Sequence, residues 1–144
     1  MHGNRMIQVV KAHKKARNLK TVCLIDEAAS MAFAFIQAVC DRRIVTETSI
    51  MMQHQMSFGV RDSIGKIEAM VALAKALERQ LNALQAARLG LSLPEFTARI
   101  VNDWFMLGQE AIDAKAADAI GGWLCIRVEG CPLLPPAPPQ AQSP

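Results

Sequence analysis

The sequence predicts an α/β domain. Three features predict it: a short apolar, partly β-branched run at 21–25, two further runs of that kind at 43–45 and 49–52, and a stretch at 63–89 with apolar residues every three or four positions. Strand-like runs alternating with helical periodicity imply helices packed against a sheet. At 144 residues the chain is one domain by size. Hydrophobic residues make up 51% and charged residues 20%, a globular balance.

Residues 4–18 read as an amphipathic helix, with Met6, Val9, Val10 and His13 on one face and Lys11, Lys14, Lys15 and Arg17 on the other. The basic face reads as solvated, because no aromatic or Gly-rich segment accompanies it as nucleic-acid binding would require. The net charge of +3 is too small to argue for a nucleic-acid or membrane partner. Thr21-Val22-Cys23-Leu24-Ile25 reads as a buried strand. Asp26-Glu27 then breaks the pattern, and 28–39, rich in small and apolar residues, reads as a turn feeding a buried helix. Arg43-Ile44-Val45 and Ser49-Ile50-Met51-Met52 read as two strands separated by the polar Thr46-Glu47-Thr48.

Residues 63–89 form the clearest helix. Ile64, Ile67, Val71, Ala74, Leu77, Leu81 and Leu84 make its stripe, Asp62 or Ser63 caps its start and Gly90 ends it. Such a helix is roughly 40 Å long. Either part of it projects and its apolar stripe meets a partner surface, or it kinks within the core. Ser92-Leu93-Pro94-Glu95 is a capping box that starts a helix to about Asn102. Trp104-Phe105-Met106 is a short apolar step, and 109–116 is a further helix. Six prolines between Pro132 and Pro144 mark 127–144 as a disordered tail, leaving 1–126 as the folded domain.

Several classes are disfavoured. No apolar run reaches the ~18 residues of a spanning helix, and Met1-His2-Gly3-Asn4-Arg5 lacks the apolar core of a secretory signal. Cys23, Cys40, Cys125 and Cys131 form no C-x-x-C pair, which argues against a zinc knuckle. Most of them are expected reduced in a cytoplasmic protein, with Cys125 and Cys131 the pair an oxidising setting would join. No metal and no cofactor is expected.

The residues with chemical potential are a serine, a histidine and an aspartate. A serine hydroxyl is a poor nucleophile near neutral pH. It needs a base within hydrogen-bond reach, a partner that fixes the base, and backbone N–H groups for the developing oxyanion. Ser30 has the local context: a buried strand ends, a turn follows, and a helix begins whose free N–H groups include that of Met31. Taken alone, Ala-Ala-Ser-Met-Ala is what a helix-packing serine looks like. His54 directly follows a strand, and the other histidines, His2 and His13, both lie near the amino terminus. Asp103 ends a helix, where the dipole disfavours a carboxylate and hints at another purpose.

From 21 to about 120 these segments resemble ClpP, the proteolytic subunit of the Clp protease, within the crotonase-like fold. Thr21-Val22-Cys23-Leu24-Ile25 with Ala28-Ala29-Ser30-Met31 is similar to the family's nucleophile segment. Ser49-Ile50-Met51-Met52-Gln53-His54-Gln55 resembles its histidine segment, and Asn102-Asp103-Trp104-Phe105-Met106 its aspartate segment. Gly90-Leu91-Ser92-Leu93-Pro94-Glu95 resembles the end of the long handle helix. Ser30 to His54 is 24 residues and His54 to Asp103 is 49, close to the family's spacing. The resemblance implies a spiral of β-β-α units with a protruding handle helix. It also implies Ser30 as nucleophile, His54 as base, Asp103 as the residue orienting it, and Met31 as an oxyanion donor. Unfolded polypeptide would be the substrate, stacked homo-oligomeric rings the assembly, and an AAA+ unfoldase the partner.

Against that pattern the chain reads as N-terminally truncated. It starts past the family's Gly-rich oxyanion loop and first strands, through a misplaced start, a fragment or pseudogene, or a divergent member completed by a partner. Asp26-Glu27 stands where the family has glycine and a neutral polar residue, so a carboxylate either opposes the oxyanion or faces water. Lys115 stands where glycine is common, at a cost of ~1 kcal/mol if the position is left-handed. His54 lacks the family's following proline. Two other readings follow: an inactive ClpP-like fragment or assembly subunit acting through the handle helix, and another crotonase-fold enzyme, either a Ser/Lys protease or an acyl-CoA enzyme.

Overall fold

A computed structural model of the protein describes residues 2–121. The proposed tail at 127–144, with Cys125 and Cys131, lies outside the described residues. Nine elements follow in order: α1 His2–Arg17, β1 Val22–Ala29, α2 Met31–Val39, β2 Arg42–Gln53, α3 Ile64–Leu89, α4 Leu93–Arg99, β3 Trp104–Leu107, α5 Gln109–Asp113 and β4 Ala119–Ile120.

Strand β2 is the hub of the sheet. It pairs in parallel with β1 and β4 and antiparallel with β3. The expected break at Asp26-Glu27 is absent: both residues stay in β1, exposed to solvent. The two strands expected on either side of Thr46-Glu47-Thr48 are one strand, β2. The polar signal at both places marks a register shift instead, between the pairs Ile25↔Val45 and Glu27↔Ile50. Ser49 closes the irregularity. Fully buried, it donates to the Ile25 carbonyl at 2.6 Å and accepts from the Thr46 N–H at 2.7 Å. Backbone groups freed from the ladder are thus satisfied by a side chain. Gly108 follows β3 at a φ of 35°, with its backbone against that of Glu47, where a β-carbon would collide.

The core joins Ile7 of α1, Ile25 and Ala28 of β1, Phe33 and Val39 of α2, Val45 and Met51 of β2, Leu89, Phe96, Ile100, Met106 and Ala111. Helix α1 buries a different stripe from the one expected. Ile7 is buried and Val10 half-buried, whereas Met6 and Val9 face outward. Lys14, assigned to the solvated face, lies on the packed side. Its ammonium donates to the Val39 carbonyl at 2.5 Å and pairs with Asp41 at 2.8 Å. The long stem packs while the charge finds oxygen, so a lysine occupies a core-facing position. Lys14 and the Thr21 N–H together hold the Asp41 carboxyl down at about 2.

Helix α3 begins after Ser63 and ends at Gly90, left-handed at φ 70°. Only Asn82, Gln85, Ala86 and Leu89 are buried in it, all in its last third. Its first half carries Ile64, Met70 and Leu73 into solvent, so the projecting alternative holds. The capping box at Ser92 and Glu95 is present, and the Ser92 hydrogen bonds hold the Glu95 carboxyl below its ordinary value. Helix α4 stops at Arg99, short of Asn102, and 109–113 replaces the helix expected to 116. Lys115 makes the turn there at φ 57°, the left-handed conformation that glycine would take without strain.

At the far end, buried Arg43 joins β2 to the last turn. It bonds Asp118 at 2.5 Å and 3.0 Å and also reaches the Gln37 side chain. Burial alone would raise the Asp118 carboxyl, but the Arg43 hydrogen bonds and charge outweigh it, and the group lies below its ordinary value. The cysteine expectation needs correction. Cys23 and Cys40 form a disulfide with Cα atoms 5.9 Å apart. Helix α2 folds back along β1 and returns its C-terminus to the start of the strand, which spacing along the chain does not reveal. No helix of the described residues is long and apolar enough to cross a membrane.

Candidate active site

Beyond the register shift, β1 and β2 pair in parallel up to Ala29 opposite Met52. The residues just beyond those ends are therefore neighbours. Ser30 leaves β1 and donates its backbone N–H to the Met52 carbonyl at 2.9 Å. His54 leaves β2 after Gln53, and its Nε2 lies 2.9 Å from the Ser30 Oγ. Groups separated by 24 residues meet within hydrogen-bond distance.

The backbone at Ser30 is a finding that composition did not signal. Its φ of 54° and ψ of −115° belong to the glycine-favouring first corner of a type II′ turn. A side chain held there costs about 1–3 kcal/mol. Such a sharp strand-to-helix elbow presents its hydroxyl at the strand end. The hydrogen bond to Met52 and the helix α2 that starts at Met31 hold the elbow in place. Met31 is the first residue of α2, where an N–H has no carbonyl of its own helix to bond. The small residues Ala28 and Ala34 on either side are buried, which lets the helix seat closely on the sheet.

Asp103 comes just before β3. Continuing the antiparallel register past Gln53↔Trp104 sets Asp103 opposite His54. The two backbones are thus neighbours, but the Asp103 side chain is exposed and makes no hydrogen bond among the described residues. Ser30 and His54 come together by side chain, whereas Asp103 stands one residue beyond the last paired position, Gln53↔Trp104. Trp104, next to it, packs edge-on to Phe96 and under the Arg99 guanidinium, 4.9 Å from the ring centroid.

Beside Ser30 and His54 opens a cleft of about 560 Å³. One wall is the side of α3 that carries Met70, Leu73, Leu77 and Leu81, the first two of them still largely exposed, and the other is the 56–59 segment after β2. The inner end is polar. Gln53 Nε2 donates to Gln85 Oε1 at 2.5 Å, Gln53 Oε1 accepts the His54 N–H at 3.1 Å, and Gln85 Nε2 donates to the Leu81 carbonyl at 3.1 Å. Gln53, Asn82 and Gln85 did not stand out in the sequence. The apolar stripe of the long helix leaves Gln85 on its polar side, and only the packing of α3 buries Asn82 and Gln85.

The Clp protease family model matches residues 3–122. The chain belongs to the Clp protease family. The match spans the elbow, the histidine strand end and the whole of α3. Clp protease membership carries the crotonase-like fold, consistent with the parallel-containing sheet, and the peptidase class of activity. Clp protease chains generally assemble as rings that work with Clp ATPases. No curated protein matches the chain.

Proposed function

We propose that this chain is a catalytic subunit of a serine endopeptidase of Clp type, acting on unfolded polypeptide. The observation that carries the reading is the 2.9 Å contact between Ser30 Oγ and His54 Nε2 at a strained strand-to-helix elbow. In this reading Ser30 attacks the scissile carbonyl carbon while His54 takes its proton. His54 then gives that proton to the leaving amine, and the acyl group stays on Ser30 until water, activated by His54, releases it. The N–H of Met31 faces the oxyanion as one donor. Asp103 turns its carboxylate toward His54 from the adjacent backbone position and fixes the imidazole. The projecting half of α3 meets another subunit in a stacked homo-oligomer, and an ATP-driven AAA+ unfoldase delivers the substrate.

A fluorophosphonate probe tests the reading. Labelling of Ser30, abolished by Ser30→Ala and strongly slowed by His54→Ala, is the expected result. A protein that stays unlabelled while folded overturns it. Asp103→Asn should slow labelling without moving the modified residue.

A second reading is favoured by the exposed side chain of Asp103 and the apolar, uncovered first half of α3. Here the chain is an assembly subunit without hydrolysis. It would form a defined oligomer by light scattering, unchanged in Ser30→Ala, with no labelling in any form.

A further inference from the structure

The disulfide between Cys23 and Cys40 encloses the part of the chain that carries Ser30. Cys23 is the second residue of β1 and Cys40 directly follows α2, so the closed loop holds the rest of β1, the strained elbow and the whole of α2. The two cysteines are held side by side without help from the S–S bond. The Thr21 carbonyl accepts the Asp41 N–H at 3.0 Å and the Arg42 N–H at 3.1 Å. The Thr21 hydroxyl donates to the Val39 carbonyl at 2.6 Å, and the Arg88 guanidinium donates to the Cys40 carbonyl at 3.0 Å. Two thiols fixed in this way meet at a high effective concentration, and their Cα separation of 5.9 Å lies within the range a disulfide needs. Breaking the bond therefore leaves a dithiol poised to form it again. Cys40 is 4% exposed, whereas Cys23 is half-buried, so Cys23 carries the sulfur that a small molecule reaches.

The geometry points to Cys23 and Cys40 as a reversible thiol–disulfide exchange site, with a small-molecule disulfide as its oxidant, whose oxidised state tightens the elbow that carries Ser30. In the oxidising direction the Cys23 thiolate attacks one sulfur of the small disulfide and expels one small thiol. The Cys40 thiolate then attacks the Cys23 sulfur of the mixed disulfide and expels the second. The protein loses two electrons and two protons, and the small disulfide leaves as two thiols. A small thiol in excess reverses both steps. The consequence follows from where the loop lies. The elbow holds a side chain at a glycine-favouring φ of 54°, and the seating of α2 on β1 opposes its relaxation. The bond joins the ends of those two elements that lie away from the elbow, and so restricts α2 from lifting off the strand. As a regulator of Ser30 chemistry, the pair rests on the peptidase reading above.

The test equilibrates the full-length protein in oxidised or reduced glutathione, with Cys125→Ser and Cys131→Ser removing the other two thiols. Trapped by alkylation in denaturant, Cys23 and Cys40 should be blocked in the oxidised sample and free in the reduced one. Amide hydrogen exchange over 28–36 should be slower by on the order of a hundredfold in the oxidised state, the equivalent of about 3 kcal/mol for a loop of this length. A plain fluorophosphonate should label Ser30 about fivefold faster in that state, as ~1 kcal/mol of elbow strain relaxes in the dithiol. Cys23→Ser should remove the response to glutathione. Failure of the bond to form, or equal exchange in the two states, overturns the inference and leaves the peptidase reading standing wherever labelling persists. Labelling at equal rates in the two states overturns it as well. No labelling in either state, with the exchange difference intact, overturns the peptidase reading alone. The two glutathione states decide by themselves if Cys23→Ser does not fold.

Discussion

Ile50 and Met51 are neighbours on β2, and each pairs with an apolar residue of β3: Ile50 with Leu107, Met51 with Met106. Met51 is fully buried, while Ile50 is 43% exposed. The same contrast runs across the sheet. On one face Ile25, Ala28, Val45 and Met106 lie under the helices. On the other, Val22, Phe105 and Leu107 face outward, Phe105 at 60% exposure. Strand sequence is nearly as apolar on the bare face as on the covered one. Alternation of side chains therefore does not say which face is covered here. What decides is which side the connecting helices lie on.

The largest expected effect is on the covered face. Met51→Ala should destabilise the protein by about 2–5 kcal/mol in denaturant unfolding, since the cavity it leaves is enclosed. Within α3 the contrast repeats: Leu89→Ala should cost a similar ~2–5 kcal/mol, and Leu73→Ala far less in the isolated chain. If Leu73→Ala is as costly as Leu89→Ala, the projecting half of the helix is covered by another surface. Next come the two strained turns that close the covered side. Lys115 turns the chain so that Ala116 and Ala117 enter the core, and Lys115→Gly should raise stability by about 1 kcal/mol. Ser30→Gly should also raise stability, by about 1 kcal/mol or more, while abolishing labelling. A gain at Lys115 but a loss at Ser30 would mean that the serine hydroxyl stabilises the fold as well as occupying the site.

A smaller effect concerns α1, which is clamped onto α2 through Lys14 and Asp41. The Asp41 carboxyl lies at about 2 in the folded protein against an ordinary 3.8. The stabilisation is therefore complete above the ordinary value and is lost as pH falls through the window between the two. Asp41→Asn should remove this part of the acid dependence in thermal melts taken between those limits. The smallest effect belongs to the bare face, where Phe105→Ser should change stability by less than about 0.5 kcal/mol. A penalty of core size there would break the comparison, because it would show that the bare face is covered in solution.

Much of this was legible along the chain. The long helix, its stop at Gly90, the capping box at Ser92 and a strand followed by a helix near Ser30 all follow from local rules, since caps and periodicity act over a few residues. The candidates Ser30 and His54 were legible as contexts, and a family resemblance supplied their grouping. Other features were not legible. The polar stretches at Asp26-Glu27 and Thr46-Glu47-Thr48 look like turns but are absorbed into a register shift, because Ser49 supplies the missing hydrogen bonds from within the core. Lys14 looks like a surface lysine but caps the oxygens of Val39 and Asp41. The Cys23–Cys40 bond depends on how α2 returns along β1.

The sequence alone determined the α/β class, the lengths and ends of its main helix and caps, and the residue types from which a serine–histidine site can be made. Only the tertiary structure decided that Ser30 Oγ and His54 Nε2 meet at 2.9 Å. It also decided that Ser30 carries a strained backbone, that the Asp103 side chain makes no hydrogen bond among the described residues, and that Gln53, Asn82 and Gln85 line the cleft. The physical reason is the range of the forces involved. Caps and periodicity are read within one element, whereas parallel register and helix packing join residues far apart in the chain.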